Sequence, residues 1–449
     1  MKIAFAALAI LSTLPIALLL QRYVWLSRLF WTCFGALPFF LSAIPVLDIG
    51  IVSWETWAGF VYGVEITAID FMAVIAFLIL PRHRVPVFFF LPFILYIIVI
   101  ALSMYQAIEP LAAFFGVWQF ARMFLITAVI ARASAFEEIP YLIFRGMFIG
   151  ILGHFIAVLW QRFGLGLPQN TGLFVHQNTL GMALHFVLFP CLVMLLSGER
   201  SLKYLVPPLA MTLVTLILTA SRASIGFAAV GIGATFLLMA LAGLTRRKLA
   251  VGFAALLAVA IVGPITFVTF QKRFENAPLN EDVYDERAAF NQASFHMIHD
   301  FPFGVGLNHY VFVAKNQGYS DRAGVAPAEG NRNAIVHNAY MLAGTETGYA
   351  GFATFCLMLA VPLIVAFVSG WRNNREADGV VLLGCAMAML VTYFHSFFEW
   401  VIFSKEIQYL LSLTMGLVFG IASRARIRET PVIVNKFTAV ENTVLLNSQ

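Results

Sequence analysis

Charged residues are scarce in this chain. Asp, Glu, Lys and Arg make up 11% of its 449 residues, whereas 61% are hydrophobic. This composition excludes a string of soluble domains. Apolar runs of about 20 residues, long enough to cross a hydrocarbon core about 30 Å thick, recur from one end to the other. We therefore predict an all-α polytopic membrane protein.

Cysteine is also scarce, and its positions exclude two kinds of site. The four cysteines all lie inside apolar runs, at Cys33, Cys191, Cys356 and Cys385. None is placed to form a disulfide in a loop, and none has the spacing of metal ligands. The net charge of +5 does not indicate nucleic-acid binding, because the basic residues stand in short clusters at span ends.

Hydropathy predicts twelve or thirteen membrane spans. They lie near 3–20, 29–47, 59–80, 85–103, 111–131, 146–161, 179–196, 205–220, 225–243, 249–270, 350–370, 379–398 and 407–422. Basic clusters at alternate span ends, such as 246–248, indicate the cytoplasmic side. Thirteen spans would place the N-terminus outside, and twelve would place both ends inside. The first run lacks an A-x-A-like cleavage site and is predicted to be a retained span.

The same alternation divides the chain into four parts. Residues 1–270 are predicted to hold about ten spans, and residues 350–423 the last spans. Residues 271–349 form one large hydrophilic loop subdomain on the periplasmic side, and residues 424–449 a cytoplasmic tail. We expect the chemistry of the protein in the loop, where charged groups can be solvated.

Arg222 stands in the segment TASRAS, at the outer end of one predicted span and the start of the next. No topological signal calls for an arginine there. Its rigid fork of donors matches phosphate oxygens, and the pairing strengthens where the dielectric is low. Arg222 is therefore predicted to bind a phosphate or diphosphate at the membrane surface. The alternative is an arginine that extends to the lipid headgroups.

His337 lies where the polar loop turns into a helix that re-enters the membrane. A neutral imidazole, with an ordinary pKa of about 6.5, is suited to accept a proton near neutral pH. A lone histidine at a helix start is, however, more often an ordinary polar residue. A catalytic role is favoured by the arginines predicted on the same side of the membrane, namely Arg222, Arg287, Arg322 and Arg332.

Four motifs follow one another in the second half of the chain. They are GLFVHQNTLG at 172–181, which contains His176 and Asn178; the pair Ser221 and Arg222; an amphipathic stretch that Arg287 opens and P-x-G-x-G closes at 302–306; and His337 with Asn338, followed after nine residues by G-x-x-G. In this order, with a dozen spans around a large loop, they resemble the O-antigen ligase and polysaccharide polymerase superfamily of bacterial glycosyltransferases. The first 160 residues contribute only apolar spans to the resemblance.

The resemblance implies a GT-C-like inverting glycosyltransferase. Such enzymes transfer a glycan from undecaprenyl diphosphate to a sugar hydroxyl on the periplasmic side, without nucleotide sugar, metal or other cofactor. The chain has no D-x-D pair, with which other transferases hold a divalent ion, so arginines would stabilise the leaving diphosphate. The implied partners are the lipid-linked donor, a glycan or lipid A-core acceptor, membrane lipids and other polysaccharide assembly proteins, with no nucleic acid.

Residue roles follow from the motifs and the predicted topology. The predicted catalytic residues are His337, Arg222 and Arg287, and the predicted substrate-binding residues are Arg332, Arg322, Asn178, His176, Asn338, Glu399 and Arg122. Arg122 lies within a span, as do Glu65 and Asp70, and charges at such depth face a cavity or pair with each other. Glu399, near an outer span end, is expected to reach the site.

Three alternatives remain open from the sequence. A polymerase and a ligase differ in the acceptor, which is another lipid-linked repeat or the lipid A core; GLFVHQNTLG favours a polymerase, while the His337 motif fits both. A flippase or transporter of lipid-linked glycans would show repeat symmetry and broken helices, and neither is visible in the sequence. His296 and His299 suggest a metal, but H-x-x-H does not place both on one helix face, and no third ligand is evident.

Overall fold

The computed structural model describes residues 2–81, 85–276 and 281–429, so the predicted tail beyond residue 429 lies outside the described residues. These residues form helices α1 (Lys2–Arg22), α2 (Val24–Ala36), α3 (Ala68–Ile79), α4 (Leu91–Ser103), α5 (Pro110–Ala133), α6 (Glu138–Leu159), α7 (Gln177–Ser197), α8 (Leu202–Thr219), α9 (Arg222–Leu241), α10 (Arg246–Asn276), α11 (Glu281–Asp300), α12 (Tyr310–Asn316), α13 (Tyr319–Arg322), α14 (Glu329–Arg332), α15 (Ala339–Arg372), α16 (Ala377–His395) and α17 (Lys405–Glu429). Strands β1 (Asp48–Ser53) and β2 (Gly63–Thr67) form an antiparallel pair.

Eight helices in the described part of the chain are long and apolar enough to cross a membrane, namely α5 to α9 and α15 to α17. Helices α3 and α4 are apolar but shorter, with 12 and 13 residues. The predicted class, an all-α polytopic membrane protein, is confirmed.

The predicted spans at 29–47 and 59–80 are not continuous helices. Pro38 and Pro45 follow the end of α2 in short 3₁₀ turns, and proline lacks the N–H that would continue a helix. The β1–β2 pair comes next, and α3 begins only after Thr67, whose side chain forms part of a capping box. Hydropathy missed this arrangement because an apolar strand and an apolar helix have similar composition.

Helices α7, α16 and α17 form the centre of the bundle. The apolar windows of α7 and α17 are completely buried, and that of α16 is 83% buried. Helices that are apolar on all sides are expected at such a position. Because α7 packs against α9 and α16, the N-terminal ends of α7 and α9 meet the C-terminal end of α16. This end of the bundle holds the site described below.

Helix α15 is broken at Gly348, which has non-helical backbone angles (φ 69°, ψ −170°). A Cβ atom there would lie 2.3 Å from the carbonyl oxygen of Pro302, so the close approach requires glycine. Tyr349 N–H donates to that oxygen at 3.0 Å, and Gly306 N–H donates to the carbonyl of Glu346 at 2.9 Å. The loop 301–309, which carries the P-x-G-x-G motif, thus packs on the break and joins α11 to α15.

Asn308 ties this loop to the N-terminal half of the chain. Its side-chain oxygen accepts the N–H groups of Phe60 and Val61 at 2.7 and 3.1 Å. Its side-chain nitrogen donates to the carbonyls of Val61 and Ala112 at 2.7 and 3.1 Å. Trp57 donates to its backbone carbonyl at 2.9 Å. The connection between β1 and β2 is therefore part of the scaffold that holds the loop.

Candidate active site

Glu399 lies in the connection between α16 and α17, and 2% of its side chain is exposed. Its Oε1 accepts hydrogen bonds from Asn178 Nδ2 at 2.7 Å and from Arg287 Nη2 at 3.1 Å. Its Oε2 lies 3.2 Å from His337 Nδ1. One buried carboxylate thus joins residues of α7, of α11 and of the segment before α15.

Asn178 connects this carboxylate to the start of α9. The residue is held at the first turn of α7 because its N–H donates to Nδ1 of His176, the N-cap residue, at 3.1 Å. Its side-chain oxygen accepts from Ser221 Oγ at 2.9 Å. Ser221 is in turn the N-cap of α9. We refer to Asn178, Ser221, Arg287, His337 and Glu399 as the Glu399 cluster.

Arg222 is the first residue of α9 and directly follows Ser221 in the cluster. Its side chain is exposed. A helix N-terminus carries partial positive charge and unsatisfied N–H groups, which favour an anion. The position therefore suits the predicted binding of phosphate, one residue along the chain from the buried hydrogen bonds.

His337 is 31% exposed and precedes α15. The backbone beside it is fixed because Asn338 caps α15, accepting the N–H groups of Tyr340 and Met341 at 3.0 and 3.1 Å. An ionised Glu399 only accepts hydrogen bonds, so Nδ1 of His337 carries the hydrogen. In the neutral imidazole, Nε2 is then left as the proton acceptor. Asn338, predicted to bind substrate, has a structural role as the cap.

Arg287 combines contact with the buried carboxylate and exposure to solvent. Its side chain is 42% exposed, and besides Glu399 it donates from Nη1 to the carbonyl of Phe398 at 3.4 Å. Helix α11, which carries it, is fixed to α15 by the hydrogen bond from Ser294 Oγ to the carbonyl of Met341 at 3.2 Å. The helix that carries the arginine is thus fixed by packing outside the site.

Burial and the charges of the site together shift two pKa values, those of Glu399 and His176. Burial alone would raise the pKa of Glu399, but the hydrogen bond from His337 and the charges of His337 and Arg287 outweigh burial and lower the pKa below its usual 4.5. Glu399 is therefore ionised at neutral pH. Burial lowers the pKa of His176, while Glu399 acts to raise it and His337 to lower it. His176 is thus neutral, as its role as acceptor for Asn178 requires.

Arg332 and Arg322 are not brought into the Glu399 cluster. Arg332 pairs with Asp321 and donates from Nε to the carbonyl of Ala326 at 3.2 Å. The guanidinium of Arg322 lies over the ring of Tyr319, 4.2 Å from its centroid. These contacts are local to α13, α14 and the loop between them, and none of these partners belongs to the cluster.

Arg122 also has other partners. It is 5% exposed and donates from Nη1 to Asp70 Oδ2 at 3.2 Å and to the carbonyl of Glu65 at 3.0 Å. Its guanidinium lies over the Tyr409 ring, 5.7 Å from the centroid. The carboxylate of Glu65 accepts from Lys405 Nζ at 3.0 Å. These interior charges are paired, and in this structure Arg122 links β2 and α3 to α5 and α17.

The histidines considered as metal ligands lie in α11. His299 Nδ1 is 3.2 Å from Asp300 Oδ1, and both side chains are exposed. Asp300 Oδ2 accepts from the Tyr319 hydroxyl at 2.7 Å. Among the residues that the structure describes, no group of three or more His, Cys, Asp or Glu side chains is arranged to hold a metal ion.

Glu399 has a larger part in the site than the sequence predicted. Its partners His337, Arg287 and Asn178 are 62, 112 and 221 residues away along the chain. The available signal was an acidic residue near the outer end of an apolar span, a position where an isolated carboxylate is costly. The identity of its partners could not be read from that signal.

The fold and the site define a polytopic membrane protein with an imidazole, a carboxylate and arginines at one end of its helix bundle. Residues 207–356, about a third of the chain, match the family model described as O-antigen ligase. The match supports the O-antigen ligase and polysaccharide polymerase superfamily, whose members are glycosyltransferase-like enzymes, and confirms the resemblance. It includes Arg222, Arg287 and His337, while Asn178 and Glu399 lie outside it. No match is found among curated proteins.

Proposed function

We propose that this protein is an inner-membrane glycosyltransferase that moves a glycan from undecaprenyl diphosphate to an acceptor sugar hydroxyl on the periplasmic side. The observation that carries the proposal is the Glu399 cluster, in which a buried carboxylate orients His337 beside Arg287. The family match supports this type of function in general. The donor, the acceptor and the side of the membrane belong to the proposal.

The transfer is a single displacement at the anomeric carbon. His337 Nε2 removes the proton of the acceptor hydroxyl while its oxygen bonds to the anomeric carbon and the bond to the diphosphate oxygen breaks. The electron pair leaves with undecaprenyl diphosphate, which gains one negative charge. Arg287 and Arg222 stabilise that charge without a metal ion, and Glu399 stabilises the imidazolium. Inversion at the anomeric carbon follows.

The acceptor that we propose is another lipid-linked repeat, which makes the protein a polysaccharide polymerase. This choice rests on the GLFVHQNTLG motif at 172–181, and transfer to the lipid A core is the alternative. A transporter of lipid-linked glycans is less well supported. The described part of α15 is broken at Gly348, but the loop 301–309 fills that break with backbone hydrogen bonds. Backbone of the same chain thus occupies the break, whereas transporters bind their substrates at such breaks.

The test uses the purified protein in lipid vesicles with a synthetic repeat on undecaprenyl diphosphate, with and without lipid A core. A ladder of products without core would support a polymerase, and one addition to the core would support a ligase. Movement of the labelled lipid across the bilayer without glycan transfer would contradict both.

His337→Ala should lower turnover about 10²- to 10⁴-fold while donor binding is retained, as for loss of a general base. His299→Ala is the matched control, because this histidine of the same loop subdomain has a side chain that is 82% exposed and does not contact the Glu399 cluster. Equal activity of the two variants would reject the role of His337.

A further inference from the structure

Arg287 contacts Glu399 from a more exposed position than His337 does, because 42% of the arginine side chain is exposed against 31% of the histidine side chain. Asn178 is fixed by Ser221, and His337 adjoins the capped start of α15. Arg287 meets Glu399 through one guanidinium nitrogen at 3.1 Å, and its second contact, with the carbonyl of Phe398, measures 3.4 Å. With 42% of the side chain exposed, the guanidinium has donors left for an anion arriving from solvent.

The electrostatic surroundings give this arginine a particular effect on the imidazole. In the described part of the chain, the titratable and charged groups that interact with Glu399 include His337 before α15, Arg287 on α11, His395 at the end of α16 and His176 before α7. Arg287 is permanently charged and contacts the carboxylate directly. While Arg287 stays there, it neutralises charge that would otherwise stabilise protonated His337.

We infer that Arg287 is a donor-operated switch, which neutralises Glu399 in the empty site and turns to the diphosphate when the donor binds. The full charge of Glu399 then acts on His337, so that the imidazole becomes a stronger base when the glycan to be transferred is present. This inference rests on the proposed function, because it takes a diphosphate as the anion. It adds a coupling between donor binding at Arg287 and proton removal by His337.

The coupling is measured without any glycan transfer. Diethyl pyrocarbonate reacts with neutral imidazole, so the rate of His337 modification, followed by peptide mass spectrometry, reports how much of the imidazole is unprotonated. At mildly acidic pH, Arg287→Gln should slow this modification about 3- to 10-fold, because the carboxylate of Glu399 then stabilises the imidazolium more strongly; the effect is modest because the arginine is partly exposed. Arg287→Lys, which keeps the cation, should stay close to wild type. Arg375→Gln, at an exposed arginine in the connection between α15 and α16, is the matched control and should leave the modification rate unchanged.

Making the Arg287→Gln substitution in Glu399→Gln protein tests whether Arg287 acts on His337 through the carboxylate. In Glu399→Gln protein, the change caused by Arg287→Gln should shrink to less than about half, because the carboxylate that relays it is gone. The same slowing of modification in both backgrounds would mean that Arg287 repels the imidazolium directly, and the switch would be wrong. No slowing in either background would also overturn it.

The donor provides the second measurement. The acid limb of kcat/KM for the donor reports the free enzyme, and that of kcat reports the donor complex. In wild type, the acid limb of kcat should lie at higher pH than the acid limb of kcat/KM. The separation should exceed the part that direct attraction between diphosphate and imidazolium causes. In Arg287→Gln protein the separation of the two limbs should therefore be smaller. Equal separations in both proteins would show that the diphosphate acts directly and that no switch exists.

Failure of the inference and failure of the proposed function give different results. If the protein transfers glycan but the modification data show no coupling through Glu399, the switch alone is rejected. If the coupling is present but no lipid-linked glycan is transferred, the proposed function is rejected and diphosphate is not the anion that Arg287 serves.

Discussion

Replacing Glu399 by glutamine tests the centre of the site with almost no change in shape. The amide oxygen can still accept from Asn178 and Arg287, as Oε1 does at 2.7 and 3.1 Å. The amide nitrogen then faces Nδ1 of His337, where Oε2 lies at 3.2 Å. Because that nitrogen donates, the hydrogen of the neutral imidazole must move to Nε2. The base needed for the acceptor hydroxyl is lost.

The expected cost follows from comparable carboxylate–histidine pairs. Loss of the base, or its wrong tautomer, lowers turnover about 10²- to 10⁴-fold, which corresponds to about 2.7 to 5.4 kcal/mol in the activation free energy. Donor binding should not weaken, since Arg287 loses a competing carboxylate. Glu399→Asp, which keeps the charge on a shorter side chain, should show intermediate turnover.

The assay is steady-state transfer in lipid vesicles, with kcat and KM for the lipid-linked donor measured on correctly folded protein. Glu329→Gln, at an exposed acidic residue of α14, is the matched control and should behave as wild type. A turnover of Glu399→Gln within about threefold of wild type would refute the reasoning. A rise in KM with unchanged kcat would refute it as well, because it would make Glu399 a binding residue.

Four further predictions concern charge, topology, metal and pH. Arg222→Lys should transfer more slowly than wild type and Arg222→Ala more slowly still, by about 2 to 4 kcal/mol in transition-state stabilisation, with weaker donor binding; an unimpaired Ala variant would contradict this role. A cysteine at Gly330 should react with an impermeant reagent from the periplasmic side and one at Asn373 should not, and the opposite pattern would overturn the topology. Transfer should persist in excess EDTA, and a loss restored by Mg²⁺ would mean that a metal, not the arginines, stabilises the diphosphate. The pKa of Glu399 is below 4.5 in the folded protein, so its contribution to stability is complete above that value and is lost as pH falls through the folded pKa; the thermal midpoint in detergent should fall more steeply with acid in wild type than in Glu399→Gln, and parallel curves would contradict the shift.

The sequence by itself determined the class of the protein, because transfer of a side chain to lipid depends mainly on its own chemistry and sums along a span. It also identified His337 and Arg287 as candidates, since an imidazole and a guanidinium in a polar loop beside apolar spans need a reason to be there. The exact bounds of the membrane spans were harder to predict. At 29–47 and 59–80, apolar residues form turns and strands because prolines and a capping box interrupt the helix.

Only the tertiary structure decided which charged groups belong together. Arg332 and Arg287 are alike as residues of the same predicted loop, yet one pairs with Asp321 and the other with Glu399. The difference arises because packing of α7, α9 and α16 brings Asn178 beside the carboxylate, while the loop 301–309 fixes α11 to α15. Hydrogen bonds between residues 62 to 221 positions apart depend on that packing, and no local property of the chain encodes them.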